Sequence, residues 1–307
     1  MCHALSRDEG STVSNHFSAE AFRRDGFGPS PAFSCLIAED AGGPIGYAMH
    51  CDDYDTDRMC RSLYLADLYV EKAARRRGIG RALMAATAKE GQEQGAQLMT
   101  WGALRDNDAA RRFYATVGQE LPELIGCFID EAGLPRLARE KDDKSGITTR
   151  LAEIGDCAPL TKWLRALLAD IGEPPPPPDS EARFRADGFG PRSAFAALIA
   201  ERAGEPVGYA IHWPTYDTET AARGLWLSDL YVVPAARRAK AGRILMAEVA
   251  RRAVAQNAKF INLLVLERNQ RARAFYRSIG QEWRDGYAWI CGDDDFKRLS
   301  AGAPPIG

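Results

Sequence analysis

Arginines and glycines are concentrated in one short segment, VEKAARRRGIGRALM at residues 70–84. Guanidinium groups are planar donors that suit phosphate oxygens, and glycine lets the backbone approach an oxygen-rich ligand. The segment joins the end of a β-rich run to the start of a helix, where unpaired N–H groups favour an anion. We therefore predict a phosphate-binding loop, with a solvated basic turn as the alternative. Its donors and glycines are Arg75, Arg76, Arg77, Arg81, Gly78 and Gly80.

Other phosphate and nucleic-acid motifs do not fit this segment. A Walker A loop needs Gly-Lys followed by Ser or Thr, and a Rossmann loop needs a third glycine and an acid about 20 residues further on. The net charge is −2, and no aromatic-rich basic surface accompanies the loop. Any anion site is therefore local, and we predict no nucleic-acid partner.

Length and composition bound the class of protein. The chain has 307 residues, 46% of them hydrophobic, which suits two domains of about 150 residues. The seven cysteines are scattered without a C-x-x-C pair, so we predict no metal site and a reducing compartment. No apolar run approaches the roughly 20 residues that span a bilayer, and the N-terminus lacks a signal-like apolar region. The sequence thus predicts a cytoplasmic protein without a membrane partner.

The chain repeats itself. RRDGFGPSPAF at 23–33 matches RADGFGPRSAF at 185–195, and LADLYV at 65–70 matches LSDLYV at 227–232. Matching residues lie 162 positions apart, as Asp67 and Asp229 do. Two long copies indicate a duplicated domain rather than a solenoid.

The copies differ at their starts. The second opens with a strand and an amphipathic helix in GITTRLAEIGDCAPLTKWLRALLAD, whereas the first has no counterpart of that strand. HALSRDEG aligns with RALLADIG, so the first copy is expected to begin within its first helix. A polar segment separates the copies. We predict a first domain at 1–140, a linker at 141–146 and a second domain at 147–307.

Each copy has the same predicted order of elements. In first-copy numbers, strands are expected at about 33–39, 45–50, 63–70, 98–104 and 125–130. One helix is expected from about Gly80 and another from Asn107 to Val117, ended by Gly118 as a C′ glycine. Because strands occur both as a hairpin and in β-α-β order, we predict an α/β fold with a mixed sheet in each copy.

The motifs resemble those of a known superfamily. Val70, Arg75, Gly78 and Gly80 form V-x-x-x-x-R-x-x-G-x-G, which resembles motif A of the GNAT N-acetyltransferases. NDAARRFYATVG and NQRARAFYRSIG both resemble the N-x-x-A-x-x-F-Y-x-x-x-G segment of that superfamily. The surrounding sequence looks like the branch of diamine (spermidine/spermine) acetyltransferases. The resemblance covers nearly the whole chain twice and implies two tandem GNAT domains, the first without its N-terminal strand.

The resemblance implies acetyl-CoA as the acyl donor, held where two parallel strands splay apart. It assigns Tyr114 and Tyr276 as general acids that protonate the leaving thiolate, a task that suits a phenol. It assigns the backbone N–H of Leu68 to the oxyanion. Capping its helix is the alternative role for Asn107. The implied cofactor-binding residues are Leu68, Tyr69, Val70, Arg75, Arg76, Arg77, Gly78, Ile79, Gly80, Arg81, Asn107 and Tyr114, with Leu230, Tyr231, Val232, Arg237, Arg238, Gly242, Arg243, Asn269 and Tyr276 in the second copy.

Two positions depart from the family pattern. Where the diamine branch reads Leu-Glu-Asp, Ala66 and Ser228 replace the glutamate that helps to remove the substrate proton. The adjacent aspartates are expected on the opposite strand face, so the base is unassigned. His50 is a candidate, with a structural histidine as the alternative. Lys240 replaces the counterpart of Gly78, so we expect weaker binding in the second copy.

We predict an N-acetyltransferase that transfers an acetyl group directly to a primary amine of a small polyamine- or amino-acid-like molecule. No cysteine lies in a nucleophile constellation, which argues against an acyl-enzyme. The alternatives are an idle acyl-CoA-binding regulator and a protein N-acetyltransferase. For assembly, the alternatives are a homodimer and an intramolecular pseudo-dimer of the two domains.

Overall fold

The structure, a computed structural model, describes residues 1–10, 18–140 and 145–304. The predicted linker therefore falls largely outside the described residues, at 141–144. The first repeat contributes the strands β1 (Ser34–Asp40), β2 (Gly43–Asp55), β3 (Cys60–Val70), β4 (Leu98–Leu104), β5 (Gln119–Leu121) and β6 (Leu124–Ile129). The second contributes β7 (Ile147–Leu151), β8 (Ala196–Arg202), β9 (Glu205–Asp217), β10 (Ala222–Val232), β11 (Phe260–Leu266), β12 (Gln281–Trp283) and β13 (Gly286–Gly292).

Both helices predicted within each repeat are present, together with helices that the sequence did not predict. The helices are α1 (Cys2–Asp8), α2 (Ala19–Phe27), α3 (Ile79–Glu93), α4 (Asp108–Tyr114), α5 (Gly133–Ala138), α6 (Cys157–Ile171), α7 (Ser180–Arg183), α8 (Ala241–Ala255), α9 (Gln270–Arg277) and α10 (Asp293–Ser300). Helix α3 has its apolar stripe in the core of the first repeat, as α8 has in the second. The predicted mixed α/β fold with two tandem domains is confirmed.

The two sheets exchange a strand. The first sheet has the order β1-β2-β3-β4-β13-β5, and the second has the order β12-β6-β11-β10-β9-β8-β7. Thus β13 from the end of the chain pairs antiparallel with β4, and β6 from the first repeat pairs antiparallel with β11. Each hydrogen-bonded sheet therefore contains strands from both repeats, although the domain bounds in sequence stay a prediction.

The helix after each exchanged strand is also exchanged. Leu134 and Leu137 of α5 are buried in the core that surrounds α8. Phe296 and Leu299 of α10 are buried in the core that surrounds α3. Because both cores are completed by the other repeat, the two repeats form one intertwined pair.

Gly118 serves close packing rather than helix termination. Helix α4 ends at Tyr114, capped by Ala115, and Gly118 does not adopt a left-handed conformation. A Cβ at Gly118 would lie 2.5 Å from the carbonyl oxygen of Ile290 in β13. The predicted C′ role of this glycine was therefore wrong: its missing side chain lets the exchanged strand pass. A Cβ at Gly280 would likewise collide with the carbonyl oxygen of Phe128 in β6.

The start of the first repeat is as the sequence predicted. Among the described residues, no strand pairs with the outer edge of β1, whereas β7 pairs with β8 in the second sheet. Asp8 of α1 accepts a hydrogen bond from Arg75, as Asp170 of α6 accepts one from Arg237. Helix α1 thus occupies the place of the C-terminal part of α6.

Each β-hairpin turn reaches into the other repeat. We call residues 56–59 the first crossing turn and residues 218–221 the second crossing turn. Met59 is fully buried among second-repeat side chains, and Ala221 is buried in the first repeat. These turns bring polar groups of one repeat to the strands that carry the predicted site of the other.

Candidate active site

Two parallel strands separate in each sheet, as the family resemblance implied. Strand β3 pairs with β4 only from Ser62 with Leu98 to Leu65 with Trp101. Strand β10 pairs with β11 only as far as Trp226 with Asn262. Beyond these points the strand edges face a gap, so their backbone groups have no strand partner on that side. We call the gap between β3 and β4 the first cleft and the gap between β10 and β11 the second cleft.

A bulge lies beside each cleft. The register of β3 against β2 shifts between Leu65 and Asp67, so that Ala66 is the extra residue. Ser228 is the extra residue between Leu227 and Asp229 in β10. A bulge re-aims the residues that follow it. The positions that lack the family's glutamate therefore lie at the start of each separation.

The aspartates after the bulges are buried and hydrogen-bonded. Tyr47 donates to Asp67 at 2.8 Å, and Tyr209 donates to Asp229 at 3.0 Å. Burial raises the pKa of the Asp229 carboxyl to about 6 and raises that of Asp67 in the same direction. These residues anchor the bulges from within the protein.

Arg75 and Arg237 shape the loops that we call the Arg/Gly loops, residues 71–81 and 233–243. The Nε of each donates to the carbonyl oxygen at the end of its strand, Val70 or Val232, at 2.8 Å. Each guanidinium also pairs with the aspartate of the preceding helix, Asp8 or Asp170. Since these donors are used within the protein, their contribution to a ligand is mainly charge.

The other arginines of the loops differ in their engagement. Arg81 donates to the carbonyl oxygens of Thr116 and Ala303, and Arg243 pairs with Glu140. Arg77 lies 3.6 Å from Asp40. By contrast, Arg76 and Arg238 are exposed and adopt left-handed backbone conformations, with φ of 63° and 68°. These last two positions extend from the loop surface.

Lys240 adopts the conformation of the glycine that it replaces. Gly78 has φ 79° and ψ 0°, and Lys240 has φ 63° and ψ 2°, each at the N-cap of its helix. A Cβ at Gly78 would have no protein atom within 4 Å. The second Arg/Gly loop therefore keeps its shape, and Lys240 bears backbone strain of about 1–2 kcal/mol.

Asn107 and Asn269 cap the helices that carry the tyrosines. The Oδ1 of each accepts a hydrogen bond from a backbone N–H of the first turn, of Ala110 or Ala272, at 3.1 Å. The capping alternative for Asn107 is thus what the structure contains.

The two candidate acids lie in different surroundings. Tyr114 is 9% exposed, and its ring packs against Trp101 and Trp289 at centroid distances of 5.3 and 5.9 Å. The residues at the equivalent positions beside Tyr276 are the smaller Leu263 and Cys127. Consequently the first cleft is filled by indole rings, whereas the second has room beside Tyr276.

A cavity of about 1850 Å³ opens between the repeats and extends into the second cleft. Its lining includes Ser228, Leu230, Asn269 and Tyr276 from the second repeat, but none of Leu68, Asn107 and Tyr114 from the first. A separate cavity beside Asp67 has about 30 Å³, room for little more than a water molecule.

The large cavity is strongly acidic. Eleven carboxylates and four cationic side chains line it. Desolvation, together with the nearby carboxylates of Asp55, Asp229 and Glu173, raises the pKa of Asp57 to about 7. Beside the small cavity, desolvation and the carboxylates of Asp67 and Glu219 raise the pKa of Glu9 to about 7. The field in the large cavity favours a cation.

The candidate histidine base lies elsewhere. His50 is 2% exposed, lines neither cavity and has its Nε2 3.7 Å from a Glu90 carboxylate oxygen of α3. Burial lowers its pKa, and it lowers that of its counterpart His212 to about 4. Neither histidine lines a cavity, and among the described residues none of their ring nitrogens has a hydrogen-bond partner, so the hydrogen-bonded structural role stays a prediction.

The family model of the acetyltransferase (GNAT) family matches residues 2–118 and 160–281. The chain belongs to this family. The prediction of an N-acetyltransferase is thereby confirmed at the level of the family. Among the described residues, no group of three His, Cys, Asp or Glu side chains could hold a metal ion. In the same residues, every helix is too short or too polar to cross a membrane.

The curated relatives align with a stretch of this chain that is about as long as one repeat. A thialysine N-epsilon-acetyltransferase from Bos taurus is 31% identical over 154 residues, 47% of this chain and 90% of that protein. The human spermidine/spermine N(1)-acetyltransferase-like protein 1 is 29% identical over 138 residues, 43% of this chain and 20% of that protein. The sequence comparison thus agrees with the resemblance to diamine acetyltransferases that the motifs indicated.

Solved structures match both repeats together. A tandem GNAT protein from the clavulanic acid biosynthesis pathway has a TM-score of 0.54 and 14% identity, covering 95% of this chain and 93% of that one. A GCN5-related N-acetyltransferase from Sphaerobacter thermophilus has a TM-score of 0.52 and 18% identity, with 94% and 89% covered. At these identities the likeness shows the tandem fold alone.

Sequence reasoning missed the residues that distinguish the two clefts. Trp101 and Trp289 fill the first, and Asp57 reaches the cavity of the second from the other repeat. Comparing positions 162 apart would have shown the tryptophan difference. It would not have shown that Cys127 comes to lie beside Tyr276, because that requires the strand exchange.

Proposed function

We propose that the chain transfers the acetyl group of acetyl-CoA to a primary amine of a small, cationic molecule, and that the second cleft is the working site. One observation carries this proposal. The large cavity reaches Tyr276 and the separated edge of β10, and carboxylates outnumber cationic side chains in its lining. The same groups of the first repeat are closed off by Trp101 and Trp289.

The second cleft suits the acyl donor chemically. Beyond Trp226, the edge of β10 that faces β11 offers unpaired amide groups, which match the amides of a pantetheine arm. The second Arg/Gly loop ends in the N-terminus of α8, which suits a pyrophosphate. Acetyl-CoA would supply the activated acyl group. Its proposed contacts are Leu230, Tyr231, Val232, Arg237, Arg238, Gly242, Arg243, Asn269 and Tyr276.

Two groups of the chain take part in the acetyl transfer, one by stabilising charge and one by donating a proton. The backbone N–H of Leu230, just after the bulge, stabilises the negative charge that develops on the acetyl oxygen. The Tyr276 hydroxyl gives its proton to the departing sulfur. Burial raises the pKa of this phenol, so it is protonated at neutral pH and ready to donate.

The acceptor is a cation of modest size. An acidic cavity attracts an ammonium group and resists anionic substrates. The names of the relatives suggest the two classes to test: thialysine, an amino acid with an amine-bearing side chain, and spermidine, a polyamine. An acceptor space that lies between two repeats suits a small molecule better than the surface of a folded protein.

The first repeat has a structural part in this proposal. It supplies β6 to the second sheet and α5 to the core beneath that sheet. Its crossing turn reaches the second cleft. Tyr114 and Leu68 were predicted as catalytic groups of the first cleft; we propose instead that catalysis takes place in the second cleft alone.

The test compares Tyr276→Phe with Tyr114→Phe. Turnover of thialysine and of spermidine is followed by release of the CoA thiol, and acetyl-CoA binding is measured by calorimetry. We expect Tyr276→Phe to lose on the order of tenfold or more in kcat while binding is retained. Tyr114→Phe is expected to stay within twofold of the wild type. A larger loss in Tyr114→Phe would overturn the assignment to the second cleft.

A further inference from the structure

The first crossing turn covers the position at which the second cleft lacks a family glutamate. Thr56 of this turn has its Oγ1 2.8 Å from the Ser228 hydroxyl oxygen. It also donates to the Asp229 carboxylate at 2.8 Å. The two bonds fix the turn against the bulge of β10, so the residue after Thr56 has a defined place beside the second cleft.

That residue is Asp57. Its side chain is accessible to the large cavity and lines it together with Leu230 and Tyr276. Asp55 and Arg58 of the same hairpin pair with each other at 2.8 Å. Within the described part of the chain, Asp57 forms no ion pair, so its carboxylate is left to face the cavity.

We propose that Asp57, supplied by the first repeat, is the general base that removes a proton from the acceptor amine in the second cleft. This inference rests on the proposed function and adds a catalytic residue to it. It also accounts for the loss of the glutamate at Ser228, because a carboxylate from the opposite repeat reaches the same region.

The proton balance is complete without another reactant. Asp57 takes one proton from the substrate ammonium, which frees the nitrogen lone pair. The nitrogen then forms a bond with the acetyl carbon, the carbon–sulfur bond breaks, and Tyr276 protonates the sulfur. The second proton of the nitrogen returns to Tyr276 through water, and Asp57 releases its proton to solvent.

The electrostatics suit this task. The charged groups that face Asp57 are Asp55 and Arg58 of its own hairpin, Asp229 of β10 and Glu173 after α6. Desolvation is the largest cause of the shift, and the carboxylates, which outweigh the single guanidinium, add to it, so that the pKa of Asp57 is raised to about 7. A base with a pKa near the working pH is ionised for a large share of molecules and still accepts a proton readily.

The test is the pH profile of kcat/KM for the full chain. Wild type is expected to gain activity as pH rises through about 7, because Asp57 must be ionised. In Asp57→Asn, kcat/KM should fall by on the order of 10²-fold and lose this limb of the profile. Asp57→Glu should recover the limb, which a merely structural role would not predict.

Glu219→Gln is the matched control, since Glu219 holds the equivalent position in the second crossing turn. Because Glu219 also lines the large cavity, KM is allowed to change, but the limb of the profile near pH 7 is expected to remain. Equal losses in Asp57→Asn and Glu219→Gln, or an unchanged limb in Asp57→Asn, would overturn the base assignment while leaving the proposed function intact. A wild-type chain that binds no acetyl-CoA and acetylates no amine would overturn both. Unfolding curves and acetyl-CoA affinity of Asp57→Asn check that the variant is folded.

Discussion

The hydroxyl of Thr56 donates a hydrogen bond across the repeats to the buried carboxylate of Asp229, at 2.8 Å. Thr218 makes the equivalent bond to Asp67 at 2.6 Å. The two bonds are related by the offset of the repeats and join each crossing turn to the opposite bulge. They therefore couple the geometry of each cleft to the packing of the other repeat.

Thr56→Val keeps the side-chain shape and removes the donor to Asp229. We expect a loss of about 1–3 kcal/mol in the free energy of unfolding, since a buried carboxylate loses a partner. The Asp229 pKa in the folded protein is raised to about 6, so its contribution favours folding at low pH and is lost as pH rises through that value. The hydrogen bond from Thr56 stabilises the ionised carboxylate of Asp229 and so limits this rise in pKa. The free energy of unfolding that Thr56→Val loses, measured by urea unfolding, should therefore be larger at pH 8 than at pH 4.5. An equal loss at both pH values would contradict the role of Asp229 ionisation.

Lys240→Gly removes a left-handed lysine from the start of α8. Relief of strain is worth about 1–2 kcal/mol, and the greater freedom of unfolded glycine offsets about 0.4–1 kcal/mol of it. A net gain of about 0.5–1 kcal/mol in thermal or urea unfolding is expected. Gly78→Ala is the complementary experiment in the first repeat. Its Cβ would contact no protein atom, so the substitution adds only backbone strain and should lower stability. A destabilised Lys240→Gly would show that contacts of the lysine outweigh its strain.

Leu263→Trp should close the second cleft with the side chain that fills the first. Leu263 is 3% exposed and lies in the core that packs against Tyr276. We expect calorimetry to show one acetyl-CoA per wild-type chain and none for the variant, with a stability cost of about 1–3 kcal/mol from overpacking. Trp101→Leu is the reverse change and should raise the stoichiometry towards two. Unchanged stoichiometry in Leu263→Trp would show that the second cleft does not hold the donor.

Gly118→Ala should disturb the exchanged strand. Its Cβ would lie 2.5 Å from the Ile290 oxygen and 2.6 Å from the Trp101 ring, so β13 must shift. A loss of about 3 kcal/mol is expected. Gly102→Ala is the control in the same sheet, since its Cβ would meet only the Tyr64 hydroxyl at 4.0 Å. Similar losses in the two variants would contradict the close-packing explanation.

Hydrophobic pattern and glycine placement were sufficient to predict most elements, because amphipathic helices and apolar strands are local properties. The strands at 34–40 and 98–104 and the helix that begins after Gly78 agree with the prediction within a few residues. The role of Gly118 was mistaken, since a glycine near a helix end looks the same whether it serves a left-handed cap or a nearby strand. Contact partners from distant parts of the chain are invisible to a local pattern.

The sequence by itself determined the duplication, the two Arg/Gly loops, the capped helices that carry Tyr114 and Tyr276, and the family. Only the tertiary structure decided which repeat completes which sheet. Strands β6 and β13 hold equivalent positions in two similar repeats, so either pairing satisfies the same backbone hydrogen bonds and apolar pattern. That choice places Trp289 beside Tyr114 and Cys127 beside Tyr276, and packing of the crossing turns brings Asp57 to the open cleft. The asymmetry of two similar sites thus follows from long-range packing, which the order of residues along either repeat does not specify.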